Sequence, residues 1–153
     1  MLWTPPVPFS PAEDKLTGRL KRGGKFYVFL RSIREQLFDA DLQAALIAMY
    51  TGRAYGKQPK PPAFVAMVLL LQAYAKVGDE EAIRRVHMDR AWQLALGLLG
   101  TSDDVVHLAQ STLFEVRERL IEARLDVRLL ARTVDLARET GLFGVASART
   151  ASG

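Results

Sequence analysis

Residues 61–89 read PPAFVAMVLLLQAYAKVGDEEAIRRVHMD. Positions 63–71 are nine apolar residues in succession; acids follow at 79–81 and paired arginines at 84 and 85. A membrane-crossing helix needs about 20 apolar residues in a row, and this run is broken by Gln72 and soon reaches Lys76. It therefore reads as a buried core helix over 62–76. Pro61 or Pro62 sits in its first turn, where a missing N–H costs nothing. A helix that is apolar on nearly every face belongs in the middle of a bundle.

The composition supports a helical body around that core. All seven prolines lie at or before position 62, and the six glycines after it fall mostly where helices would end. Proline costs about 3 kcal/mol inside a helix and glycine about 1, so the second half is expected to be helical almost throughout. Upstream, FYVFLRSIREQLF places Phe26, Phe29, Leu30, Ile33 and Leu37 on one face, the spacing of an amphipathic helix. DADLQAALIAMY reads as a helix over 40–51, and TGRAYGKQPKPP as a loop. Asp79 is a candidate N-cap for a helix over 79–88, with Glu80 and Glu81 in its positive first turn. A short helix ends at Gly97. Another carries a capping box, Thr112 to Glu115, with Leu113, Val116, Leu120 and Ile121 inward and Arg117, Glu118, Arg119 and Glu122 outward. A last helix ends at Gly141 and should expose apolar surface.

These elements predict an all-α fold, a compact bundle of six to seven helices over 26–141. A Pro-rich, basic, extended arm over 1–25 would precede it, and a short disordered tail over 142–153 would follow. The N-terminus lacks the charged start and apolar stretch of a secretory signal. Cysteine is absent, which excludes disulfides and thiolate metal sites. A cytoplasmic location without a membrane partner is the resulting expectation.

Net charge is +4, unevenly spread: residues 1–76 hold 11 Lys+Arg against 5 Asp+Glu, and residues 77–153 hold 10 against 12. A basic N-terminal half suits a polyanion such as DNA. Self-contained catalytic motifs are absent. His87 and His107 read as surface or packing residues, and Asp103-Asp104 as turn chemistry. Neither a cofactor nor a small-molecule substrate is implied. Helix 62–76, the KVGD turn and helix 79–88 form a helix-turn-helix-like layout, with Arg84 and Arg85 projecting toward phosphates or bases. The match is partial: Tyr74 stands where a small residue is common, and Arg84 where an apolar one is. A helical hairpin with a solvated basic face is the competing reading.

The stretch GKQPKPPAFVAMVLLLQAYAKVGDEEAIRRVHMDRAWQLALGL, with QSTLFEVRERLIE and LARETGLFG in order after it, closely resembles the N-terminal helical domain of bacterial insertion-sequence transposases of the IS1182/IS5 type. The matching positions include Leu70-Leu71-Gln72, Asp79-Glu80-Glu81-Ala82, Arg84-Arg85, Asp89, Trp92 and Ala95 to Leu98. The resemblance spans about residues 23–144. Gly78 replaces the usual Ser, and Val116 a Phe.

The resemblance implies a DNA-binding and assembly domain acting at transposon ends, either as a monomer or as a homodimer. In the family, a catalytic domain follows with three carboxylates holding two divalent metals, Mg2+ by expectation. No Asp or Glu follows Glu139 here. The chain is therefore expected to lack the catalytic acids and not to catalyse strand transfer alone. Candidate DNA contacts are Lys21, Arg22 and Lys25 in the arm, and Arg84, Arg85 and Arg90 on the helices. The alternatives are a helical dimerisation or docking module that barely touches DNA, and an inactive gene product.

Overall fold

The computed structural model describes residues 2–50, 60–101 and 107–141. The expected 142–153 tail and Asp103-Asp104 lie outside them, as does most of the 51–62 loop. Among the described residues there are eight α-helices, one 3-10 turn and no strand. The helices are α1 Pro11–Arg19, α2 Lys25–Leu37, α3 Ala40–Ala48, α4 Pro62–Ala75, α5 Asp79–Met88, α6 Arg90–Leu96, α7 Gln110–Glu122 and α8 Leu125–Thr140; the 3-10 turn is Arg22–Gly24.

The all-α expectation holds, and α4 is the centre. Pro62 occupies its first turn, and nine of its fourteen residues are buried, with the exposed positions confined to its last turn. Around it pack α3, α5, α6 and α7, while α2 lies against α6 and α8. Leu30, Ile33 and Leu37 of α2, Trp92 of α6 and Leu113 of α7 are fully buried in the same core. No single described helix is long and apolar enough to cross a membrane.

The N-terminal arm departs from expectation. Residues 2–9 are non-helical, but residues 11–19 form α1, and the whole segment is docked rather than free. The cause is local chemistry at Ser10-Pro11-Ala12-Glu13. Ser10 Oγ accepts from the Glu13 N–H at 3.1 Å, and Glu13 Oε1 accepts from the Ser10 N–H at 2.9 Å. This is a reciprocal capping box with Pro at N1. Glu13 then meets Arg31 of α2, whose Nε donates to Oε2 at 2.8 Å. The Arg31 side chain also donates to the carbonyls of Val7 and Pro8 and lies over the Phe9 ring. One helical turn on, Arg34 donates to the carbonyls of Pro6, Leu94 and Ala95. Gln43 of α3 accepts from the Trp3 N–H and donates to the Trp3 carbonyl. Three buried polar side chains thus pin an extended strap to the body through its main chain.

Other helix ends also differ from the sequence reading. Asp79 is not the N-cap of α5; Gly78 is, in extended backbone, and the left-handed residue of the turn is Lys76, with φ 57°. Thr112 does not cap α7, because that helix starts two residues earlier, at Gln110. Ile121, expected inward, is 52% exposed. Arg117 and Arg119, expected outward, are half-buried and bonded to Asp79 and to the Met49 carbonyl, respectively. Gly97 is needed twice over: its φ of 73° is left-handed, and a Cβ there would lie 3.2 Å from Pro5.

Burial pushes the Glu13 carboxyl up, but the Arg31 hydrogen bond, the Ser10 N–H and the charges of Arg31 and Arg34 outweigh it, so its pKa is lowered. A depressed carboxylate contributes stability above its unfolded pKa, about 4.3, and loses it as pH falls through the folded value. Arg31→Met should cost roughly 3 kcal/mol at pH 7, by leaving a buried charge without its partner. It should also make the acid limb shallower, because burial would then dominate at Glu13. Thermal melts at pH 7 and pH 4 measure both effects; a variant as stable as wild type at pH 7 would show that the pair does not hold α1.

Candidate nucleic-acid interface

The axes of α4 and α5 are bent by 111° across Lys76-Val77-Gly78, within the range of helix-turn-helix pairs. Gln72 locks the turn: its Nε2 donates to the Val77 carbonyl at 3.2 Å and to Asp79 Oδ1 at 2.7 Å. Arg117 of α7 donates to Gln72 Oε1 at 2.9 Å and to both Asp79 oxygens. Hydrogen bonds from Arg117 and then from Gln72 lower the Asp79 pKa. Asp79 therefore joins α4, α5 and α7. Its partner lies 38 residues away, which no local pattern could have revealed.

The outer face of α5 carries Glu80, Arg84 and Met88, all exposed. Glu81 holds both candidate arginines of this helix. Its two oxygens accept from Arg84 Nε and Nη2, each at 2.9 Å, and Oε2 also accepts from Arg85 Nε at 2.8 Å. Those bonds pull the Glu81 pKa down to about 2. Arg85 is half-buried, with its guanidinium 5.8 Å from the Trp92 ring centroid. Arg90 is exposed at the start of α6, whose N-cap is Asp89, accepting from the Ala91 and Trp92 N–H groups.

Lys21, Arg22 and Lys25 lie on and beside the 3-10 turn that joins α1 to α2. All three are exposed, and among the described residues none takes part in an ion pair. Lys15 and Arg19, four apart on α1, are exposed in the same way and extend the group. Sequence reasoning passed over these two because the helix that aligns them was not foreseen. Asp14 is the one exposed acid within 13–25, since Glu13 is buried against Arg31.

The start of α2, which carries Lys25, packs against the end of α4. Phe26, next to Lys25, stacks on Tyr74 at 3.8 Å, and Tyr27 meets Tyr74 edge-on. Burial, and after it the negative charge of Asp89, raise the Tyr27 pKa, while Arg85 is near enough to act in the opposite direction. The start of α2 therefore adjoins the α5–α6 junction. His87 is a packing residue whose Nδ1 lies 2.9 Å from the Ile83 carbonyl; His107 is exposed. Among the described residues no group of three or more His, Asp or Glu could hold a metal ion.

The family described as Transposase domain (DUF772) matches residues 14–119. The chain belongs to this transposase domain family. The match begins within α1 and ends within α7, so it contains the whole helix-turn-helix-like unit and all of the candidate cations. No curated protein and no solved structure matches the chain.

Within this transposase domain, alanine at Lys21, Arg22 or Lys25 should change stability by no more than about 0.5 kcal/mol each, as for other exposed surface positions. Arg85→Ala should lower it, because its stem packs near Trp92. Urea titrations compare the two; equal losses would mean that the arm cations hold structure.

Proposed function

We propose that this transposase domain is a DNA-binding and assembly module of an insertion-sequence transposase of the IS1182/IS5 type, acting at transposon ends. The observation that carries the reading is the cationic ridge Lys15, Arg19, Lys21, Arg22 and Lys25, exposed and free of ion pairs among the described residues. Arg84, Arg85 and Arg90, at the α5–α6 junction beside the start of α2, are the further candidate contacts. Side chains of this kind track phosphates, fixing position without reading sequence. The first turn of α5 carries Asp79, Glu80 and Glu81, so a duplex would approach the C-terminal half of α5 and the start of α2. Strand-transfer chemistry is assigned to none of the described residues.

Duplex carrying the element's ends and a scrambled duplex, titrated at several salt concentrations, test the reading. Each phosphate contact contributes about 0.9 to the slope of log K against log salt. Replacing Lys21, Arg22 and Lys25 by alanine should lower that slope by roughly 2 to 3 and weaken both duplexes alike. An unchanged slope would remove the ridge from the interface.

A second reading, self-association, rests on a different surface. Val127, Leu130 and Val134 form an exposed stripe on α8, and Phe114 and Ile121 are more than half exposed on α7. Ile121 and Leu130 also border a groove of about 530 Å³ against Leu69 and Ala73 of α4. Apolar exposure of this kind marks protein contact sites. Sedimentation should show a concentration-dependent dimer that Leu130→Asp dissolves; a monomer at every concentration would leave the domain acting alone.

A further inference from the structure

Resting on the DNA-binding reading above, we propose that Glu81 is a built-in competitor for phosphate, withholding Arg84 and Arg85 from DNA until backbone phosphates displace it. The geometry carries this. Glu81 grips Arg84 side-on, with one oxygen on Nε and the other on Nη2, both at 2.9 Å. That edge of a guanidinium is the one that takes a phosphate in a bidentate contact. The same carboxylate takes Arg85 Nε at 2.8 Å. One carboxylate therefore occupies the whole phosphate-binding edge of Arg84 and the Nε of Arg85 at once. Asp79 and Asp89 do not relieve it, because Asp79 is drawn to Arg117 and Gln72, and Asp89 caps α6.

The ridge on α1 and the 3-10 turn is arranged differently: its cations meet no carboxylate among the described residues. The two sets of cations thus differ in readiness. The ridge meets phosphate directly. The α5 arginines join only where a phosphate can take the place of Glu81, which requires the duplex to be seated already and at the right distance. Glu81 then sets a threshold on the second contact. An exposed fork is weak enough to be displaced, as this role demands.

The test is Glu81→Gln, made in the wild-type chain and in the Arg84→Ala/Arg85→Ala chain. Each is titrated against duplex over a range of salt, with circular dichroism to verify helix content. The amide removes the charge and keeps the shape. Glu81→Gln alone should tighten binding by roughly two- to tenfold at low salt and steepen the salt slope by about 1 to 2. In the background lacking both arginines it should do neither. Unchanged or weaker binding would overturn the proposal, since Glu81 would then be idle or would orient the arginines for contact. Equal tightening without the arginines would also overturn it, by reducing the effect to general charge. If ridge substitutions weaken binding while Glu81→Gln has no effect, this proposal alone fails. If neither wild type nor Glu81→Gln binds duplex, the DNA reading fails with it.

Discussion

A helix with no polar face must be covered on every side, and α4 imposes that requirement on the whole chain. Residues 63–68 are all buried, so no rotation of α4 could present a tolerable surface to water. At about 25 cal/mol per Å² of apolar surface removed from water, leaving one side open would be costly. Four helices meet the demand, α3, α5, α6 and α7. Aromatic contacts complete the cover where no helix reaches: Trp3 of the strap packs edge-on against Phe64 and Phe38. The strap belongs to the fold for that reason.

Holding the strap introduces a second constraint, because an extended segment brings unpaired backbone groups with it. Arg31, Arg34 and Gln43 answer those groups from α2 and α3. Arg31 brings a carboxylate partner, Glu13. The hydrogen bonds of Arg34 among the described residues go to carbonyls, two of them at the negative C-terminal end of α6, where a cation is favoured. Burial still presses its pKa down to about 10, leaving it charged at neutral pH. Two buried guanidiniums against one buried carboxylate would be a poor arrangement in an apolar core; the main-chain carbonyls and the helix end make it tolerable.

The helices that carry the core were legible, because α2 and α4 to α6 obey the period of an apolar face or lack a polar face altogether. What escaped depends on partners distant in sequence. Arg31 and Arg34 flank the apolar stripe of α2, and charged residues in that position normally turn outward; their partners lie 18 and about 60 residues away. α1 was hidden by the prolines around it, although Ser10 to Glu13 spells the capping box that starts it. Of the candidate site, the exposed arm cations were legible from composition. The fork at Glu81 follows from spacings of three and four on a helix; the meeting of the arm with the α5–α6 junction required the packing of Phe26 and Tyr27.

The order of charge along α5 sets how this unit could meet a polyanion. Acids in a first helical turn oppose the positive end of the helix dipole, an interaction typically worth 0.3–1 kcal/mol each, and α5 has three in its ten residues. Helix-turn-helix domains usually bring the N-terminal residues of the second helix to the bases. Here those same residues stabilise a short helix and would repel phosphates on either side of the groove. Moving the approach one turn along the helix reaches Arg84 and Arg85 and the junction with α6, which the start of α2 adjoins. Stability of α5 and an unusual direction of approach thus follow from one feature, the acidic start of the helix.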